Sequence, residues 1–205
     1  MNKKSMLFVF ILFVNFAFSQ DQEATIYFND GTAIEGFGSI KKNKVYFRAS
    51  LDDKADNWSY DMVKGITFVG FEFTVKYEYV TLDEFSKPDP QLLEVVEEGN
   101  VILYARIRES FMGASFNSSG FNIQSNRITT NNVVSYRSGR ENVTTELYVK
   151  RANEKFPTSL NGSFYKKAEK YFSDCEVLAK KIDKGVFSKD NILEIVQFYN
   201  DICSD

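Results

Sequence analysis

No histidine occurs anywhere in the 205 residues. That removes the commonest general base and the commonest neutral metal ligand at pH 7, so a hydrolase built on this chain would have to use carboxylates or a Ser-Lys pair. Nucleophile elbows, zinc-binding helix signatures, phosphate loops and dinucleotide fingerprints are missing too. Basic residues form no block: without residues 1–19 the chain keeps 23 basic against 28 acidic residues, a net charge of −5. Nucleic acid and anionic membrane are therefore poor partners. Cysteine is confined to Cys175 and Cys203. After the N-terminus no second long apolar run follows, so no transmembrane anchor is expected.

What is present begins with an export signal. Lys3 and Lys4 precede an apolar run from Met6 to Phe18 that only Asn15 interrupts. About 13 residues fall short of the roughly 20 that a helix needs to cross a hydrocarbon core, and the pattern is that of a cleavable h-region. Ala17-Phe18-Ser19 offers small side chains at the positions a signal peptidase reads. Cleavage after Ser19 leaves 20–205 as the mature chain, of a size for one domain or a domain with an appendage. No cysteine stands at that junction, so the expected product is periplasmic or extracellular and not a lipoprotein. In such an oxidising compartment an even cysteine count argues for a disulfide between Cys175 and Cys203; two buried free thiols are the alternative.

From Ala24 the pattern is strand and turn. Thr25 to Phe28 leads into Asn29-Asp30-Gly31-Thr32, a hairpin signal because the turn needs positive φ, and Ala33 to Ile40 returns. Gly36 and Gly38 in the return strand imply a bulge or tight bend, as in small curled sheets. Val45 to Phe47, Trp58 to Tyr60 and Gly65 to Val69 continue the sheet. Phe71 to Val80 alternates strictly, Phe71, Phe73, Val75, Tyr77 and Tyr79 on one face and Glu72, Thr74, Lys76 and Glu78 on the other. The aromatic row is read as core, with a sugar-stacking platform as the alternative. Pro88-Asp89-Pro90 opens a short helix with the stripe Leu92, Leu93, Val95 and Val96, stopped by Gly99. Val101 to Arg108 and Thr144 to Lys150 are matching strands; if they pair, Glu146 and Tyr148 lie near Arg106 and Tyr104.

Between them Glu109 to Asn142 is rich in Ser, Asn, Thr, Gly and Arg. Over 30 residues without periodicity suggest a long hairpin or loop, or a binding loop using Arg127, Arg137 and Arg140. Beyond residue 160 the period becomes helical: Phe164, Ala168, Tyr171, Phe172, Cys175, Leu178, Ala179 and Ile182 form one stripe. Ser173 and Glu176 read as a capping box, Gly185 as a stop and Ser188 as the next cap. Ile192, Ile195, Val196, Tyr199, Ile202 and Cys203 then form the last stripe. The lysines between 166 and 184 read as a solvated surface. Asp52-Asp53-Lys54-Ala55-Asp56 lacks the glycine and the bidentate glutamate of a calcium loop and reads as a turn. No cofactor and no metal are expected.

Tyr171-Phe172-Ser173-Asp174-Cys175-Glu176-Val177-Leu178, Lys181-Ile182 and Ile195 to Cys203 resemble the end of uncharacterised exported proteins of Bacteroidota, especially flavobacteria. The Phe-rich signal ending Ala-Phe-Ser-Gln and the passage from Leu92-Leu93 to Leu103-Tyr104 are similar too. The resemblance implies a bacterial envelope location and makes the four Asn-x-Ser/Thr triplets (Asn57, Asn117, Asn142, Asn161) irrelevant; it brings no activity and no site residues.

The expected fold is α+β. A signal at 1–19 is followed by a mainly β domain at 20–160, a curled antiparallel sheet or small barrel-like unit with one inserted helix and a long polar loop at 109–142. A helical segment at 161–205 packs on it. The expected function is non-catalytic, through interaction with an envelope or extracellular partner. A secreted glycan or small-ligand binder using sheet aromatics, and a carboxylate-based hydrolase, are the alternatives.

Overall fold

The structure is a computed structural model that describes residues 21–70, 73–83, 90–110 and 142–203. The signal segment 1–19, Phe71, Pro88-Asp89 and the loop arginines Arg127, Arg137 and Arg140 lie outside the described residues.

The chain is α+β, built on one antiparallel sheet. Its strands are β1 (Gln22–Phe28), β2 (Ala33–Lys41), β3 (Lys44–Arg48), β4 (Asp56–Trp58), β5 (Val63–Val69), β6 (Thr74–Val80), β7 (Gln91–Glu97), β8 (Val101–Ser110), β9 (Asn142–Arg151) and β10 (Thr158–Ser159). They lie in the order β10-β9-β8-β7-β6-β5-β1-β2-β3-β4. The sheet is open, with β10 and β4 at its ends, rather than closed into a barrel.

Asp30 and Gly31 make the first turn, where the Asp30 carboxylate accepts from the Thr32 N–H and hydroxyl and Gly31 has φ 90°. Gly36 and Gly38 lie within β2 with no bulge, its register against β1 and β3 being unbroken. A Cβ on Gly36 would overlap the Arg48 carbonyl and the Phe47 ring, and one on Gly38 the Ile66 side chain. Their bare backbone lets the sheet curl over its inner face, so that Ala24, Ile26, Val45, Phe47, Val63, Ile66 and Phe68 enclose one core with Trp58, Tyr77, Tyr79 and Leu92 against it.

Leu92 to Val96 is not the helix that the spacing suggests; it is strand β7, flanked by β6 and β8. Leu92 packs in the curled core, Leu93 and Val95 pack with Val80, Tyr104 and Tyr148 on the outer face, and Val96 packs on the helices past an irregularity in the register. A strand apolar on both faces loses its alternation, and spacing alone then imitates a helical stripe.

The ladder of β8 and β9 runs from Val101↔Arg151 to Ser110↔Asn142. Tyr104 lies opposite Tyr148 and Arg106 opposite Glu146, as the alternation requires. The inner face of these strands is covered by helices α1 (Phe164–Tyr171), α2 (Glu176–Asp183) and α3 (Ile192–Phe198), whose apolar stripes meet Val101, Leu103, Ala105, Leu147 and Val149 in a second core. Gly185 ends α2 with φ 68°, and Ser188 caps the following turn with Asn191. Two details differ from the sequence reading. Ser173 donates to the Lys170 carbonyl instead of capping α2, whose N-cap is Cys175. Ile202 is exposed, because the last turn Tyr199–Cys203 is a π-helix that rotates it off the stripe.

Candidate functional site

On the outer face, three backbone features meet at one register. Tyr27 of β1 lies opposite Gly65 of β5, while the next residue, Phe28, lies opposite Val63. Lys64 is thus an extra residue in β5, a bulge of the kind that re-aims a side chain. Gly65 in turn lies opposite Glu78 of β6, and a Cβ there would overlap the Tyr77 carbonyl oxygen. The bare backbone of Gly65 lets β6 approach closely, and this buried residue lines a cleft. Tyr27, Lys64, Thr67, Lys76, Glu78 and Glu98 stand around it and enclose about 370 Å³.

The charged groups in this cleft are fixed by one another. The Lys76 ammonium lies 2.9 Å from Glu78 and 2.6 Å from Glu98, and the Tyr104 hydroxyl donates to the other Glu78 oxygen at 3.3 Å. Burial alone would lower the Lys76 pKa, but the hydrogen bonds to Glu98 and Glu78 outweigh it and hold the ammonium above its ordinary value. Burial and the Glu78 charge push the Tyr104 hydroxyl well up. A general acid needs a protonated carboxyl, and a nucleophilic lysine needs a free amine. In this cleft two carboxylates share one ammonium. They offer fixed hydrogen-bond acceptors, and an ammonium with three N–H donors keeps one beyond these two partners.

A second charged cluster ties the helices to the sheet. Arg151, the last residue of β9, lies between the rings of Tyr171 and Tyr199, 4.4 and 5.1 Å from their centroids. Its guanidinium donates to the Tyr171 carbonyl at 2.9 Å and to both Asp174 oxygens at 2.9 and 3.1 Å. Tyr199 donates to Asp174, and Tyr171 to Glu154. A shallow cleft of about 520 Å³ adjoins it, with Lys167 and Lys170 on its rim. Lys167 is already engaged with the Asn161 carbonyl. This cluster is a fastening.

A third polar group is partly buried on the inner face. Glu94 of β7 stands opposite Tyr77 on the inner face, where the two cores meet. Burial pushes its carboxyl up to about 7, only partly offset by the Tyr77 hydroxyl, which donates at 3.5 Å. Burial, and then the Glu94 charge, push Tyr77 well up in turn.

Of the sites read from the sequence, Cys175 and Cys203 form a disulfide with Cα atoms 5.6 Å apart. Asp52 and Asp53 belong to a turn, where Asp53 accepts from the Ser50 N–H and Arg48 donates to the Leu51 carbonyl, while Asp56 begins β4. Among the described residues no group of three or more metal-ligating side chains occurs. In the aromatic row, Tyr77 and Tyr79 pack into the curled core, Tyr77 edge-on to Phe68, while Phe73 is exposed. Tyr27, Lys64 and Gly65 were not singled out by sequence. Their signal is Val63 and Ile66, two apolar residues three positions apart, which breaks the two-residue strand period and marks a bulge.

Comparison with protein-family models, with curated proteins and with solved structures gives no match. Among the described residues, the fold is α+β, on an open ten-stranded sheet with a disulfide-bonded helical end. Among the described residues no helix is long and apolar enough to cross a membrane.

Proposed function

We propose that the chain is an exported envelope or extracellular protein that works by binding rather than by catalysis. The observation that carries the reading is the outer-face cleft, where Lys76 is shared by Glu78 and Glu98. There one ammonium bridges two carboxylates, and the cleft presents a polar surface of donors and acceptors. The Cys175–Cys203 bridge supports the export half of the reading, because structural disulfides persist in oxidising compartments. The N-terminal Lys pair, apolar run and Ala-Phe-Ser junction support it independently, as does the resemblance to flavobacterial exported proteins.

The polar segment 109–142, with Arg127, Arg137 and Arg140, joins the ends of the β8–β9 ladder and is a second candidate for contact with a partner. Replacing it by a short turn should change the cellular phenotype while leaving stability intact; an unchanged phenotype removes it from the binding function. The carboxylate hydrolase has one observation in its favour, the approach of Glu78 and Glu98 within one cleft.

Export is tested by fusing residues 1–25 to a reporter that is active only outside the cytoplasm. Activity is the expected result, and a silent cytoplasmic reporter overturns the reading.

A further inference from the structure

We propose that the cleft around Gly65 holds a sugar ring, with Tyr27 as its stacking wall; this rests on the reading of the chain as a binding protein. A pyranose presents an apolar C–H face and a rim of hydroxyls. It therefore fits an aromatic wall beside donors and acceptors that are already held in place.

Each requirement is met by a named residue. Tyr27 is 39% exposed on the outer face although it sits in a central strand. Gly65, packed against the β6 backbone, puts no side chain into the cleft, and the bulged Lys64 lines it. Thr67 adds a hydroxyl that donates or accepts. Lys76 keeps an N–H beyond those used by Glu78 and Glu98, and the carboxylates keep lone pairs. The groups that would grip a hydroxyl are ordered before the ligand arrives, which lowers the entropy lost on binding.

Size and charge narrow the class. About 370 Å³ is room for one or two rings, at the small end of ligand sites. Lys64 and Lys76 balance Glu78 and Glu98, so the cleft favours a neutral saccharide over a phosphate or a polyanion. The buried row of Tyr77 and Tyr79 cannot serve, because those rings are spent on the core. The competing explanation is that Tyr27 merely covers the bare backbone of Gly65, as aromatics do across strands. Ligand titration separates the two.

The oxidised mature chain is titrated with cellobiose, maltose and N,N′-diacetylchitobiose, followed by calorimetry and by saturation-transfer NMR. Saturable binding of at least one of them is expected, with the strongest transfer to ring C–H protons. Tyr27→Ala should weaken it by about ten-fold or more, Thr67→Val less, and Tyr27→Phe little. Tyr165→Ala, at an exposed tyrosine on α1, should leave it unchanged. No binding of any of the three at millimolar concentration overturns the proposal, as does equal binding by a folded Tyr27→Ala. If Tyr27→Ala does not fold, Thr67→Val and the proton map decide, and transfer confined to protons remote from the ring face overturns it. Such a failure leaves export untouched, since that is read from the reporter fusion.

Discussion

Asn43 grips the start of β7 as a strand would. Its side-chain oxygen accepts from the Leu92 N–H at 2.7 Å, and its amide nitrogen donates to the Pro90 carbonyl at 2.9 Å. The Tyr79 hydroxyl donates to the Asn43 carbonyl at 2.9 Å. The tip of the β2–β3 hairpin is thereby stitched across the inner face, and an open sheet acquires a closed end. Asn161 and Asn200 repeat the device, accepting from Leu147 N–H at 3.0 Å and from Val101 N–H at 2.8 Å.

Asn43 also has φ 61°, so its two roles can be separated. Asn43→Gly keeps the backbone free and loses the two amide bonds, at about 1 to 3 kcal/mol. Asn43→Ala adds the left-handed strain of roughly 1 kcal/mol. Urea unfolding should rank wild type above Gly and Gly above Ala; equal midpoints would remove the stitch from the account.

Glu94 makes stability depend on pH. Its folded pKa of about 7 lies above the unfolded value near 4.5, so the fold binds a proton more tightly than the unfolded chain does. Stability is full below about pH 4.5, falls as pH rises towards 7, and levels off above it, by about 3 kcal/mol in all. Glu94→Gln keeps a neutral group there and should abolish that slope. Denaturation midpoints near pH 5 and pH 8 measure it, and a Gln variant with the wild-type slope would contradict the assignment.

Arg151 contributes more by stacking than by charge, since Asp174 is half exposed and surface pairs are weak. Arg151→Lys retains the charge but loses the planar fit between two rings. A loss of about 1 to 2 kcal/mol is expected. A lysine variant with an unchanged unfolding midpoint would show that the rings do not matter.

The disulfide closes 28 residues of sequence separation. Replacing both cysteines by alanine should reduce stability by about 3 to 4 kcal/mol in the chain-entropy model and loosen the last turn, whose Asn200 holds Val101. Faster amide exchange at Val101 in the double variant is the local sign; unchanged exchange there would mean that the bridge does not support this contact.

Local pattern made much of this fold legible. The Asp30-Gly31 hairpin and the helical stripes express periods or turn chemistry that act over a few residues, the pairing of Arg106 with Glu146 follows from two matching alternations, and the Cys175–Cys203 bridge from an even cysteine count. What was missed depends on distant partners. β7 is apolar on both faces only because the curled core, the helices and the outer-face cluster all reach it. The cleft is assembled from β1, β5, β6 and the turn after β7, and Tyr27 or Lys64 taken alone carries no sign of it. Asn43 reads as a turn residue, and nothing near it in sequence announces Leu92.

The most direct measurement is the intact mass of the native polypeptide from its source cells, treated with an alkylating agent without reductant. A chain beginning at Gln20, outside the cytoplasm and unmodified by the reagent, is the expected result. A chain that still carries Met1, recovered with the cytosol and alkylated at Cys175 and Cys203, would contradict it.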